Sequence, residues 1–293
     1  MSDQPKIAFQ GDIGSNSDEA CRTFFPDYEP APYAAFEDAF EAVKSGSCAL
    51  AMIPVENSIA GRVADVHHLL PRSGLRIVGE RFKPIHFQLM ANRGVRLEDL
   101  RVVASMPIAL GQCRRMIRRL NLTGEPAGDT AGAARALAEH PDPRKAALAP
   151  ALAAELYGLD ILLRDVEDEA HNTTRFLIMS AERNPPRPGD GVECITSFAF
   201  RVRNIPAALY KALGGFATNG VNMTKLESYM EDGAFTATFF FAEVDGRPED
   251  PPVARALEEL GFFSDHVELL GVFAADLFRR MVKERASRRQ ANP

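Results

Sequence analysis

Up to about residue 183 the chain alternates short apolar runs with segments whose apolar residues recur at helical spacing. Lys6–Gln10 predicts a strand, and Asn16 predicts the cap of a helix through Phe24. Phe36–Lys44 places Phe36, Phe40 and Val43 on one helical face. Cys48–Val55 is a nearly continuous apolar run, the pattern of a strand buried on both faces. Further strands are predicted at Leu75–Val78, Arg101–Ser105, Ala146–Ala149 and Phe176–Met179. Helices are predicted at Pro107–Leu120, Thr130–Glu139 and Ala151–Tyr157. This order implies α/β layers with mostly parallel strands, where ligands gather at the carboxyl ends of the strands.

Asn184–Gly191 interrupts the pattern. It holds three prolines and two glycines in eight residues, which propagate neither a helix nor a strand ladder. Beyond it the periods change to a strand at Ile195–Arg203 and a helix at Pro206–Thr218 with Pro206 in its first turn. Strands follow at Val221–Tyr229 and Phe235–Val244 around the turn Glu231-Asp-Gly233, then a helix at Val253–Leu260 and a strand at Val267–Phe273. That is the β-α-β-β-α-β order of a ferredoxin-like domain. The expected organisation is a catalytic region at 1–183, a linker at 184–193, a second domain at 194–278 and a basic tail at 279–293.

Composition narrows the classes. Of 293 residues, 46% are hydrophobic and 25% charged, which is ordinary for a globular protein. No apolar run spans a bilayer and the N-terminus lacks a signal-peptide pattern, so a cytoplasmic protein without a membrane partner is expected. A net charge of −6 argues against a nucleic-acid partner. Between Arg279 and Arg289 lie six basic residues and one Glu, which read as a solvated helix end. The four scattered cysteines (Cys21, Cys48, Cys113, Cys194) suggest reduced structural thiols, and no metal site is expected. Gly11-Asp-Ile-Gly14-Ser is only a broken glycine fingerprint, and no phosphate loop, nucleophile elbow or H-E-x-x-H is present.

Three segments just after strands carry candidate chemistry. In Pro54-Val-Glu-Asn-Ser-Ile-Ala-Gly61 a carboxylate, an amide and a hydroxyl leave a strand together, a pattern equally suited to capping a helix. In His171-Asn-Thr-Thr-Arg-Phe176, after the acids Glu167, Asp168 and Glu169, hydroxyls sit beside an arginine able to grip a carboxylate. The plain alternative is a polar turn entering a strand, with His171 solvated. In Ser105–Cys113, Ser105 is placed to cap a helix whose free N–H groups suit an anion. Asp129-Thr-Ala-Gly132 offers another helix start.

In this order these segments resemble the prephenate dehydratase family along nearly the whole chain. The matches are Gly11-x-x-Gly-Ser-x-Ser-x-x-Ala20, Pro54–Gly61, Ser105–Cys113, Thr130-Ala-x-Ala-Ala134, Ala153–Gly158 and Asn172-x-Thr-Arg-Phe176. The resemblance implies two α/β lobes, similar to those of periplasmic binding proteins, with prephenate in the cleft between them. It makes Thr174 the leading catalytic candidate, joined by Glu56, Asn57 and Gln112. Ser105, Arg175, Asn172, Phe176, Thr130 and Ser15 become substrate-binding candidates. Met106 stands where the family often has histidine, so that side chain does no proton work. Loss of carbon dioxide and hydroxide aromatises the ring, so no cofactor is expected. A poor acid such as a threonine hydroxyl leaves Glu56 as an alternative proton source if burial holds it protonated.

The C-terminal region resembles an ACT domain, which implies a dimer or tetramer and phenylalanine as effector. The effector candidates are Asn204, Ile205, Pro206, Ala207, Ala208, Leu209, Asn222, Glu227 and Ser228. Ala207 replaces the usual glycine, and Tyr229-Met230 replaces the usual Arg-Pro. The alternatives are an arogenate dehydratase or a non-catalytic small-molecule-binding protein. A fused chorismate mutase is not expected, because the α/β pattern begins at Lys6.

Overall fold

The computed structural model describes residues 4–183, 185–203, 205–230 and 237–291. They divide into two compact units, Met1–Val66 with Arg81–Phe176, and His67–Glu80 with Leu177–Pro293.

The chain opens with β1 (Lys6–Gln10), α1 (Asn16–Phe24), β2 (Glu29–Tyr33), α2 (Phe36–Lys44), β3 (Leu50–Asn57) and β4 (Gly61–Arg62). It continues through α3 (Ala64–Leu69) and β5 (Arg76–Pro84). With β11 (Thr173–Ser180), reached much later, the strands order as β2-β1-β3-β11-β5, and β4 pairs with β3. β1 runs parallel to both β2 and β3. Ser15, not Asn16, is the cap of α1. Gly14, at φ +87°, turns the chain so that Ser15 is extended and its Oγ accepts from Asp18 N at 3.4 Å. Asn16 Oδ1 is buried without a hydrogen-bond partner.

The second lobe holds β6 (Gln88–Ala91), β7 (Val102–Ser105), α4 (Pro107–Gln112), α5 (Arg114–Arg119), β8 (Thr123–Pro126), α6 (Thr130–Glu139), β9 (Lys145–Ala149), α7 (Ala151–Tyr157) and β10 (Asp160–Leu163). The order β10-β6-β9-β7-β8 is mixed rather than mostly parallel: β7 is parallel to β8 and β9, whereas β6 is antiparallel to β9 and β10. Both faces of the sheet are buried by simple alternation. Leu89, Ala91, Val103, Ala146 and Leu148 enter one core, while Met90, Ala104, Ala147 and Ala149 enter the other.

The helix predicted at Pro107–Leu120 breaks at Cys113. Asp168 enters the break: its N–H donates to Gln112 O at 2.7 Å, and its carboxylate accepts from Arg115 N at 3.0 Å. A helical carbonyl and a helical N–H are satisfied from outside, so the ladder stops and restarts there.

The second unit contains β12 (Cys194–Val202), α8 (Ala208–Thr218), β13 (Met223–Met230), β14 (Ala237–Asp245), α9 (Pro251–Phe263), β15 (Ser264–Ala274) and α10 (Leu277–Ala291). Its antiparallel sheet is ordered β13-β14-β12-β15, as in a ferredoxin-like fold. Phe198, Phe200 and Val202 meet Ala212 and Phe216 of α8 and Val253, Ala256 and Leu260 of α9. The predicted turn Glu231–Gly233 and the candidate Asn204 lie outside the described residues.

Residues 67–80 and the start of α10 pack within this same unit. Gly271 lies so close to Ile77 O that a side chain there would collide with backbone. The fully buried carboxylates of Glu80 and Glu243 share Arg279, which donates to Glu80 through Nε at 2.6 Å and to Glu243 at 3.2 Å. Arg279 is therefore not part of a solvated tail. Two buried acids draw its guanidinium inward, because a buried carboxylate without a partner costs several kcal/mol, on the order of 3–5.

Helix α8 also starts later than expected. Ala207 adopts φ 62°, ψ 12°, so Pro206 lies before the helix instead of in its first turn. A Cβ in this left-handed conformation is strained, by about 1–2 kcal/mol. Ala207→Gly should therefore raise the stability of the chain by about 0.5–1 kcal/mol in denaturant unfolding, despite glycine's greater unfolded-state entropy. Unchanged or lower stability would count against a left-handed residue at this position.

Candidate active site

The ends of β3 and β11 lie side by side, and the segment that follows β3 is stitched to the chain entering β11. Ser58 N donates to Thr173 O at 2.9 Å. Ser58 Oγ donates to His171 O at 2.9 Å and accepts from Thr173 N at 3.0 Å. This seam sets Asn57 opposite Asn172 and Thr174, and α4 brings Gln112 against them.

Three side-chain amides then close a ring. Asn57 Nδ2 donates to Asn172 Oδ1 at 2.8 Å, Asn172 Nδ2 to Gln112 Oε1 at 3.1 Å, and Gln112 Nε2 to Asn57 Oδ1 at 3.2 Å. The direction of the ring is determined by backbone. Asn57 Oδ1 accepts from Ile59 N at 3.0 Å and Ala60 N at 2.9 Å, so the other terminus of Asn57 must be its NH2. One Nδ2 hydrogen serves Asn172 and the second serves Thr174 Oγ1 at 3.0 Å. Thr174 is thus the acceptor in that bond, and its own proton can be donated to a bound molecule. Asn172 and Gln112 are buried while Thr174 is half-buried, which leaves its hydroxyl at the edge of the ring.

Beside this ring Arg175, 3% exposed, donates to Glu56 Oε1 at 3.0 Å and lies over the Phe82 ring at 5.8 Å. A carboxyl group that answers a guanidinium sits there as carboxylate and has no proton to give. Glu56 is therefore not held protonated by burial, and the alternative that made it the proton source loses its physical basis.

The structure does not gather every candidate. Ser105 is fully buried and its Oγ donates to Leu148 O at 2.7 Å, so it neither caps α4 nor reaches the ring. Met106 is the cap residue and makes no side-chain cap bond. Phe176 is core, at 1% exposure. Ser15 and Thr130 open α1 and α6, both buried, and neither bonds to the amide ring. In the second unit Ile205, Pro206 and Ala207 are exposed before α8, Ala208 is buried and Leu209 packs on the core. Asn222 donates to Asp245 at 2.8 Å, and Glu227 pairs with Lys225 at 3.5 Å. Ser228 is exposed on β13 opposite Phe240.

Sequence reasoning missed Ser58 and Asp168 as organisers. Residue type marks the Ser58 hydroxyl as candidate chemistry or a cap but not as a seam, and the acidic stretch signals nothing about its partners. Glu167 accepts from Phe87 N at 3.0 Å and contacts His86 Nδ1 at 2.7 Å. His86, Asp165 and Glu167 form one group of metal-ligand types, but that backbone bond gives Glu167 a structural task. All four cysteines are free and buried, and burial pushes the Cys21 and Cys113 thiols up, as expected for inert thiols.

The family model described as prephenate dehydratase matches residues 7–184. The chain belongs to the prephenate dehydratase family. A bifunctional N-acyl-homoserine lactone acylase/prephenate dehydratase from Komagataeibacter europaeus is 50% identical over 283 residues, covering 96% of this chain and 99% of that one. An arogenate dehydratase/prephenate dehydratase 2 from Arabidopsis thaliana is 36% identical, covering 92% and 73%. The crystal structure of prephenate dehydratase in complex with L-Phe from Arthrobacter aurescens superposes with a TM-score of 0.84 at 31% identity, covering 92% of this chain and 90% of that chain. Among the described residues no helix is long and apolar enough to cross a membrane.

In this dehydratase the ring tolerates no reversed amide. Asn57→Asp would oppose a carboxylate oxygen to Asn172 Oδ1, while Thr174 would turn its proton inward to the new carboxylate. Flipping Asn172 only moves the clash to Gln112. The substitution should lower unfolding free energy by about 1–3 kcal/mol in a denaturant titration, whereas a change within 0.5 kcal/mol, roughly the usual surface-site range, would refute the ring.

Proposed function

We propose that this dehydratase converts prephenate to phenylpyruvate without a cofactor, and that the observation carrying the reading is the Thr174 hydroxyl left as a donor by Asn57. The bond from the ring to its carboxylate breaks and carbon dioxide leaves. The electron pair moves through the diene and expels the ring hydroxyl, which departs as water once it receives a proton. Thr174 donates to that hydroxyl. As its proton shifts, charge grows on Oγ1, where the Asn57 N–H is already in place, and preorganised donors of this kind are worth about 10²–10³-fold in rate. Gln112 and Asn172 hold Asn57, while Glu56 and Arg175 position the start of β11. Ser15 and Thr130 open α1 and α6, and helix starts of this kind suit an anionic substrate.

The same reading assigns residues 1–183 to catalysis and 194–278 to an ACT domain that binds phenylalanine. The Arthrobacter relative was crystallised with L-Phe, and the exposed residues at 205–207 belong to the segment that resembles an ACT effector loop. Exposed Phe262, Phe263, Val267 and Leu269 on α9 and β15 suit self-association of cytoplasmic subunits into a dimer or tetramer.

Thr174→Val should cut turnover of prephenate by about 10²-fold or more while the unfolding midpoint stays unchanged. Near-normal turnover would remove Thr174 from the chemistry. Purified protein should act on prephenate faster than on arogenate, and the reverse order would reassign the substrate. Titration calorimetry with millimolar phenylalanine should show saturable binding. Its absence would leave the ACT region without an effector role.

A further inference from the structure

The connection between β1 and α1 touches the second lobe at three successive residues. Asp12 receives both terminal nitrogens of Arg135 on α6, at 3.3 and 2.9 Å. Tyr157 of α7 donates its phenol to Ile13 O at 2.7 Å. Gly14 approaches α7 so closely that a Cβ would stand 3.1 Å from Ala153 Cα. Between them lies Asp129, the cap of α6, which accepts from Gly132 N at 2.7 Å. The carboxyl groups of Asp12 and Asp129 come together over Gly132, where a Cβ would meet an oxygen of each at 2.9 Å. They are close enough to hydrogen-bond to each other.

Two neighbouring carboxylates, only one of which, Asp12, is bonded to a guanidinium, do not both remain ionised at low cost, and a shared proton relieves the conflict. We propose that Asp12, Asp129, Arg135 and Tyr157 form a proton-dependent latch between the two lobes, which sets how firmly the cleft holds its substrate. The proposal rests on the dehydratase reading above, and these four are positioning residues that touch no reacting atom. Their effect passes through Ser15 and Thr130, because Asp12 O accepts from Ser15 N at 3.1 Å and Asp129 directly precedes Thr130.

Burial, and then the neighbouring Asp12, push the Asp129 carboxyl above its usual range. The closed arrangement therefore binds the proton more tightly than an open one. Closure is favoured below the raised value and lost as pH rises through it. Burial also raises the Tyr157 phenol, so it stays a donor throughout. The other charged groups facing this site are Asp18 of α1, bonded to Arg22 at 2.8 Å, and Glu125, His140 and Lys145 around a cavity of about 460 Å³. His140 lines the same cavity and needs its own control.

The test is the pH dependence of KM and kcat for prephenate from about pH 5 to about pH 8, in wild type, Asp129→Asn, Arg135→Gln and His140→Gln. Asparagine keeps the cap and is permanently neutral. Wild-type KM should rise about fivefold or more with pH at nearly constant kcat. Asp129→Asn should flatten that rise, Arg135→Gln should raise KM throughout, and His140→Gln should leave the wild-type profile intact. Persistence of the rise in Asp129→Asn, its loss in His140→Gln, or a shift of the effect into kcat would overturn the latch. Unfolding midpoints without substrate provide a readout independent of activity. Asp129→Asn should gain stability over wild type as pH increases, and parallel curves would also overturn the proposal. A chain that unfolds as expected but leaves prephenate untouched would instead refute the dehydratase reading.

Discussion

Two backbone N–H groups, those of Ile59 and Ala60, determine the polarity of the site. By donating to Asn57 Oδ1 they make the opposite end of that amide a donor. The amide then passes the same polarity through Asn172 and Gln112 and back to itself. It also makes Thr174 an acceptor inside the ring and a donor outside it. No ionised group is needed to sustain this, which suits a reaction whose driving force comes from making an aromatic ring. A neutral, fully bonded network also resists reorganisation, and preorganised donors are effective because their dipoles are already aligned before charge develops.

The ring in turn depends on where the chain breaks its own regularity. Helix α4 ends at Gln112 because Asp168 takes over the carbonyl there and restarts the ladder at Arg115. Ser58 takes a place in the seam between β3 and β11, bonding to His171 and to both backbone groups of Thr173. The carboxylates of this region are largely committed to such tasks. Glu56 answers Arg175, Glu167 answers Phe87 N, and Asp168 answers Arg115 N. The proposed donor role of the Thr174 hydroxyl is thus consistent with the geometry of the acids around it as well as with its own placement.

The ferredoxin-like unit shows the opposite economy, in which charge is buried to hold segments distant in sequence. Glu80, Glu243 and Arg279 come from β5, β14 and α10, and β12 is buried on both faces as a result of what packs around it. Ala207 keeps a left-handed backbone that glycine adopts without a Cβ penalty. The strain is local, at the start of the helix whose first residues are the effector candidates.

The sequence by itself determined the family, many of the elements and the residues that meet in the ring, but it did not show β2, β4, β6, β8, β10 or α3. Strand and helix periods are local, so β1, α2, α6 and α7 were legible at their observed bounds or within a residue of them. Asn57, Gln112, Asn172 and Thr174 were legible through ordered motifs, since residue type and spacing survive in the chain. Only the tertiary structure decided that Ser105 and Phe176 face the core, that Glu56 is committed to Arg175, and that Arg279 is drawn inside. It also decided the mixed direction of the second sheet and the meeting of Asp12 with Asp129. The physical reason is the same in each case. A polar side chain's task depends on which partner reaches it first, and those partners lie up to 199 residues away, as Arg279 does from Glu80.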